Sequence, residues 1–255
     1  MRILAVGNSF SQDATTFLHQ TAANQGVDLT VVNLYIGGCS LETHWKNMES
    51  NARAYEYQLN GTPDGRVVSL GDTLRDGEWD AIVTQQASHD SGWLDTYEPF
   101  LSQLVDEFHR AAPGARLLLH ETWAYEIDSR HEAFPRYHRD QQEMFDRLHS
   151  NYHAMARKHR LELIPCGDII QKVRALPPFH VQTGGRSLCR DGFHMSYGYG
   201  RYLLACAWAR ALCGVDTVHN TYVPVSDEDV SAELLNMIRK AVDETIVRGD
   251  ASRTE

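Results

Sequence analysis

Two short stretches near opposite ends of the chain carry side chains of the types that acyl transfer uses. The first is Gly7-Asn8-Ser9-Phe10-Ser11, which follows an apolar run at residues 3–6 and precedes a helical pattern at 15–24. A serine at such a turn stands at the carboxyl end of a strand, where parallel α/β sheets bind ligands. Helix-terminal N–H groups there favour a developing negative charge, and the serine's own N–H can join an oxyanion hole. Ser and Asn are also the preferred helix N-caps, so the same residues read equally as a cap. The second stretch is Asp191-Gly192-Phe193-His194. A nucleophilic serine needs a base, and the base needs an orienting acid. Gly192 would let both side chains turn toward one sheet edge, Asp191 accepting from His194 Nδ1–H and Nε2 taking the Ser9 proton. Read alone, the pair is also a structural Asp–His hydrogen bond. The chain has 13 histidines, so the setting of His194 singles it out and not its residue type.

A parallel sheet would bring both stretches to one edge. Strand-like runs at 3–6, 29–36, 81–84, 116–120 and 161–165 alternate with helical patterns at 15–24, 94–111 and 140–160. That alternation predicts an α/β fold: a three-layer α/β/α sandwich around a central, mainly parallel five-stranded sheet. The cluster Gly61-Thr62-Pro63-Asp64-Gly65 predicts the tip of a small hairpin inserted around 55–70. Further helices are expected at 196–212 and 226–247. The latter opens on a Ser-Asp-Glu-Asp capping cluster and carries Val230, Leu234, Ile238 and Val242 as a core stripe. A frayed tail is expected at 248–255. No linker, repeat or low-complexity segment divides residues 1–255, which read as one domain.

Together, the strand-1 serine and the late Asp-x-x-His resemble the SGNH (GDSL-type) hydrolase superfamily, in a less-characterised bacterial branch. Gly7-Asn8-Ser9-Phe10-Ser11 is similar to its first block, with Asn8 where Asp is usual, and Asp191–His194 matches its last block. Tyr35-Ile36-Gly37-Gly38-Cys39-Ser40 is similar to the second block, whose glycine N–H joins the oxyanion hole. Gly38 is the first choice there, with Gly37 and Cys39 as neighbours that compete. The usual Gly-x-Asn-Asp of the third block is replaced by Ala87-Ser88-His89-Asp90, after Gln85-Gln86. A glutamine amide is the nearest chemical substitute for the missing Asn, so Gln86 is ranked first as the third oxyanion donor, then Gln85, then His89.

The resemblance implies a flavodoxin-like SGNH fold and a serine esterase. Ser9 would be the nucleophile, His194 the base and Asp191 its orienting acid, and the reaction would pass through an acyl-enzyme. Trp45, Trp93, Trp123 and Tyr125 fall near strand ends, where aromatic faces suit a sugar ring, so a carbohydrate O-acetyl ester is the leading substrate. The same rings could equally pack loops onto the sheet. The run 126–139, with Arg130, His131, Arg136 and His138, reads as a lid for an acidic substrate or as solvated surface.

Composition narrows the rest. Of 255 residues, 42% are hydrophobic and 23% charged, as in an ordinary globular protein. The 24 Lys and Arg against 34 Asp and Glu give a net charge of -10, which disfavours nucleic acid and anionic lipid as partners. Apolar runs are strand-sized, so no membrane span is expected. No HExxH or paired-cysteine spacing occurs, and neither a metal nor another cofactor is expected. The five cysteines (Cys39, Cys166, Cys189, Cys206, Cys213) read as buried thiols, and the chain opens on a strand without a signal segment. Both favour the cytoplasm, or else secretion with the signal already removed. Two rivals remain: a catalytically inactive SGNH-like glycan-binding domain, and a flavodoxin- or Rossmann-like nucleotide binder, which would lack the usual glycine-rich phosphate loop.

Overall fold

The structure, a computed structural model, describes residues 1–247, so the tail expected at 248–255 lies outside the described residues. Five strands fall where the sequence places them: β1 (Arg2–Gly7), β2 (Thr30–Tyr35), β5 (Ala81–Thr84), β6 (Arg116–His120) and β7 (Glu162–Ile164). They pair in parallel in the order β2-β1-β5-β6-β7. β1 and β5 are apolar and buried on both faces, as strands covered by helices on each side must be.

The sheet has seven strands and not five. The hairpin around 55–70 is no appendage: β3 (Tyr55–Leu59) pairs antiparallel with β2, and β4 (Thr62–Val68) pairs with β3, which gives the order β4-β3-β2-β1-β5-β6-β7. The turn also lies earlier than expected. Leu59 faces Thr62 across a two-residue loop, Asn60-Gly61, both at positive φ (49° and 83°). That is the Asn-Gly arrangement whose twist suits a tight hairpin.

Helices flank the sheet. α1 (Ser9–Thr15), α2 (Leu18–Ala23), α8 (Tyr199–Cys213) and α9 (Ala232–Thr245) pack on one another, with α7 (Cys166–Arg174) against α9. α3 (Leu41–Glu49), α4 (Leu70–Asp76) and α5 (Phe100–Ala111) form a second group, and α6 (Gln141–His159) lies by β6 and β7.

Several helix starts differ from expectation for local reasons. The helix expected at 15–24 begins at Ser9, because the Asn8 side chain caps it by accepting from Phe10 N–H, and it breaks at Thr16–Phe17. There Thr15 and Thr16 turn their hydroxyls back onto the carbonyls of Ser11 and Gln12. The helix expected from 94 starts at Phe100: Pro99 holds the N-cap position, since it cannot donate inside a helix. The last helix begins at Ala232, not 226, because Ser226 accepts only from Glu228 N–H in a turn. α8 is buried on nearly every face, Leu203, Leu204, Cys206 and Trp208 included, and each large apolar side chain so buried contributes about 1.5–3 kcal/mol. Among the described residues no helix is long and apolar enough to cross a membrane.

Candidate active site

Ser9 is the first residue of α1, directly after β1, so its N–H has no acceptor inside the helix. Far along the chain, residues 190–196 form a loop ahead of α8. In that loop Asp191 Oδ1 accepts from the N–H groups of Phe193 (3.1 Å) and His194 (2.8 Å). Gly192 sits at φ +87°, and a Cβ there would stand 2.8 Å from Ser129 Cα. Both the conformation and the close approach demand glycine. The loop turns His194 back so that Nδ1 lies 2.7 Å from Asp191 Oδ2 and Nε2 lies 2.8 Å from Ser9 Oγ. Ser9, His194 and Asp191 thus stand in one hydrogen-bonded row, although the hydroxyl and the imidazole are separated by 185 residues. Burial alone would raise the Asp191 carboxyl, but the His194 imidazole and the two N–H donors hold it below its ordinary value. This row can pass a proton from a hydroxyl to an imidazole backed by a carboxylate.

A buried carboxylate joins the two halves. Asp13, one turn beyond Ser9 in α1, is fully buried. It accepts from Arg201 Nε (2.8 Å), Arg190 Nη1 (3.0 Å) and Met195 N–H (2.9 Å). Arg190 and Met195 bracket the Asp191–His194 stretch, so Asp13 ties the loop to the helix that carries the hydroxyl.

A second buried row fixes the strand ends. Asn8 donates to the Cys39 carbonyl (3.0 Å) and accepts from Gln85 Nε2 (2.8 Å). Gln85 Oε1 in turn lies 2.6 Å from His120 Nδ1. Burial pushes His120 down to about 3, so the ring is neutral and donates to Gln85.

A pocket of about 220 Å³ opens over Ser9 and His194. Its walls are Asn8, Phe10, Tyr35, Gly37, Gly38, Ser88, His89, His131 and Phe193. A larger cleft of about 370 Å³, lined by Arg2, Arg53, Arg66 and Trp79 among others, contains none of the row. The larger cleft holds arginines and the carboxylates of Asp72 and Asp76 but no histidine, whereas the smaller pocket holds the Ser9–His194 pair.

Gly37 and Gly38 line the pocket, whereas the Cys39 N–H is taken by the Ile36 carbonyl (3.2 Å). The expectation for Gln86 is corrected. Its side chain is fully buried, Oε1 accepting from Leu41 and Ala87 N–H and Nε2 donating to Thr96. Gln85 is spent on Asn8 and His120. Of the three candidates only His89 reaches the pocket wall.

The four aromatic candidates are corrected as well, since none lines the pocket. Trp123 is buried, stacks flat on Phe10 at 4.0 Å and donates to the Phe193 carbonyl (2.8 Å). Tyr125 is buried against Phe193, with its hydroxyl 3.0 Å from Ser88 Oγ. Both brace the pocket wall from behind. Trp93 has the guanidinium groups of Arg136 and Arg147 over its ring, at 4.8 and 4.9 Å, and Trp45 packs against the core. The rings that do face the pocket are Phe10, Tyr35 and Phe193. From the run 126–139 only His131 arrives there. Arg136 donates to His89 O and Asp90, and His138 pairs with Glu143 on the surface.

Two groups escaped the sequence reading. Asp13 carries no signal in the sequence, since its arginine partners come from the far end of the chain. Glu121, His149, His153 and Asp168 converge at another place, with ligand-type atoms all within 4.8 Å of one another. All five cysteines are free.

Among curated proteins none matches this chain. Among solved structures, an SGNH-like fold recurs at low identity. A protein from Slackia heliotrinireducens put forward as an SGNH hydrolase aligns at 22% identity and TM-score 0.56, covering 83% of this chain and 98% of that one. An acetylxylan esterase from Geobacillus stearothermophilus, solved as a catalytic mutant, aligns at 16% and 0.55, covering 83% and 94%. A DUF4886 family protein from Bacteroides uniformis ATCC 8492 is far more similar, at 33% identity and TM-score 0.86 over 100% of this chain and 97% of that one. The fold is therefore that of the SGNH hydrolases. With the profile of that same family matching from residue 2 to residue 245, the chain belongs to DUF4886, a domain of unknown function.

Proposed function

We propose that this protein is a serine ester hydrolase acting on a small acyl ester, with a carbohydrate O-acetyl group as the substrate class. The observation that carries the reading is the 2.8 Å contact between Ser9 Oγ and His194 Nε2, on an imidazole already held by Asp191. Ser9 Oγ attacks the ester carbonyl while His194 takes its proton, and Asp191 stabilises the imidazolium. The N–H groups of Ser9 and Gly38 receive the oxyanion. With Gln86 and Gln85 committed elsewhere, a ring N–H of His89 takes the third place. His194 then protonates the leaving alcohol. Water, activated by the same imidazole, cleaves the acyl-enzyme. A pocket of about 220 Å³ walled by Phe10, Tyr35 and Phe193 suits a short acyl group and the face of one sugar ring better than a long chain. The acetylxylan esterase of similar fold supports that substrate class. Five free cysteines fit a reducing compartment.

One observation favours a second reading, an inactive glycan-binding domain: among the described residues lining the pocket the one side-chain amide, Asn8, is engaged by the Cys39 carbonyl and Gln85. Turnover of p-nitrophenyl acetate and acetate release from acetylated xylo-oligosaccharides decide between them. The esterase reading expects both from the wild type and neither from Ser9→Ala. Binding of the oligosaccharides without acetate release would establish the rival.

A further inference from the structure

Apart from the Ser9 pocket, three elements bring metal-ligating side chains together at the carboxyl ends of β6 and β7. Glu121 follows β6, His149 and His153 stand on α6, and Asp168 lies in the first turn of α7. The spacing of four residues puts both imidazoles on one helix face. His149 Nδ1 lies 2.9 Å from Asp168 Oδ1 and 3.2 Å from Glu121 Oε1, and His153 Nε2 lies 3.8 Å from Asp168 Oδ2. His153 Nε2 is buried and has no hydrogen-bond partner. Glu121 is fully buried.

Two carboxylates this close, one of them out of contact with water, favour positive charge beside them, and His149 Nδ1 stands within reach of both. We propose that this cluster is a binding site for one divalent transition-metal ion of the zinc class, held by His149 Nδ1, His153 Nε2 and one oxygen each from Glu121 and Asp168. Two carboxylates balance a charge of +2, and each imidazole ligates through a ring-nitrogen lone pair. A tetrahedral ion with bonds of about 2.0–2.1 Å spaces its donors about 3.3–3.4 Å apart. His149 Nδ1 lies 2.9 and 3.2 Å from one oxygen of each carboxylate, and all four donors lie within 4.8 Å of one another, so small side-chain shifts reach that spacing. Imidazole donors favour zinc and its neighbours over magnesium or calcium, which take oxygen.

The surroundings are built for it. Asp168 N–H donates to Glu121 Oε2 (3.1 Å), which fixes the carboxylate that would ligate through Oε1. Gly167 allows this approach, since a Cβ there would stand 2.5 Å from the Thr122 carbonyl and 3.0 Å from Glu121 Oε2. The side chains of His149 and His153 are 38% and 36% exposed, which leaves an ion a way in. Four protein donors leave no open position, so the ion is structural: it clamps α6 and α7 to the end of β6. Trp123, two residues after Glu121, stacks under Phe10 beside Ser9, so the clamp also steadies the pocket floor.

The test is independent of any role for Ser9. Chelator-stripped protein is titrated with Zn²⁺ by calorimetry, and with Co²⁺ by visible absorption. The expected result is one ion per chain, a tetrahedral Co²⁺ spectrum without a thiolate charge-transfer band, and a thermal midpoint raised by Zn²⁺. His153→Ala and Asp168→Asn, with unaltered far-UV circular dichroism, should each weaken Zn²⁺ binding about 100-fold or more, while Ser9→Ala binds as the wild type does. His153 stands partly exposed on a long helix, so that variant has no reason to unfold. Absence of Zn²⁺ and Co²⁺ uptake, uptake that survives both substitutions, or a thiolate band would overturn the assignment.

Discussion

Asp13 touches neither pocket nor substrate, yet the geometry makes it a positioning residue for the whole row. Asp13→Ala removes the acceptor shared by Arg190, Arg201 and Met195 N–H. Breaking a buried ion pair from one side costs about 3–5 kcal/mol. The two arginine side chains keep 20% and 17% exposure, so water can partly replace the carboxylate and the loss should fall near the lower end, about 3 kcal/mol. Asp13→Asn keeps the volume and one acceptor but removes the charge, and should lose about half as much. The kinetic consequence follows from the same contacts. Once residues 190–195 are released from α1, His194 is no longer held within hydrogen-bond reach of Ser9, and a misplacement of about 1 Å costs on the order of 100-fold in rate. Urea unfolding followed by circular dichroism reads the first effect, and p-nitrophenyl acetate kinetics read the second. We expect kcat to fall about 100-fold for Asp13→Ala with KM changed by no more than a few-fold, because of the lining residues only Phe193 and His194 lie in the released loop. A variant within about 1 kcal/mol of wild-type stability and with wild-type kcat would refute the reasoning.

Other outcomes follow from the same structure. His89→Ala should lower kcat by about 10²–10³ if its N–H meets the oxyanion, and should leave the urea midpoint nearly unchanged because the side chain lies at the pocket wall. Gln86→Ala should do the reverse, costing about 1–3 kcal/mol for each buried N–H it strands, those of Leu41 and Ala87. His44 and His120 are both buried and pushed down to about 3. In the unfolded chain each takes up a proton near pH 6.5, so the folded state loses stability as pH falls from about 6.5 toward 3, by roughly 1.4 kcal/mol per pH unit for each. Urea midpoints measured across that range should decline, and the slope should be shallower in His44→Gln. Glu98 is opposed by its own burial, yet Lys158, Ser102 and His159 bring it down to about 2, so its contribution is lost only below about pH 4.5. Glu98→Gln should therefore flatten the curve in that lower range alone.

What the sequence made legible is what local pattern controls. The five parallel strands follow from short apolar runs between amphipathic stretches, and Ser9, Asp191 and His194 stand out because each sits at a turn where an α/β sheet presents side chains. The Asn60-Gly61 dipeptide was a stronger hairpin signal than the Pro-Asp-Gly cluster after it. What pattern could not reveal is that β3 finds the free edge of β2, because strand pairing is non-local. The same limit hid the fate of Gln86: its amide chemistry suited an oxyanion, but Leu41 and Thr96, remote from it in sequence or turned away from the pocket, had already claimed it. Trp123 and Tyr125 were placed near the site correctly in the chain, yet aromatic character says nothing of which way a ring turns, and packing turned both inward. His149 and His153 show their spacing on the page of the sequence, whereas Glu121 and Asp168 join them only once β6 and α7 are laid side by side.

The central claim is that one hydroxyl, that of Ser9, is the group acylated. A fluorophosphonate probe followed by intact-mass and peptide mapping tests it directly. The account predicts a single adduct per chain located on Ser9, absent in Ser9→Ala and formed at least about 10³-fold more slowly in His194→Ala. An adduct on another residue, or labelling and ester turnover that both persist in Ser9→Ala, would contradict it.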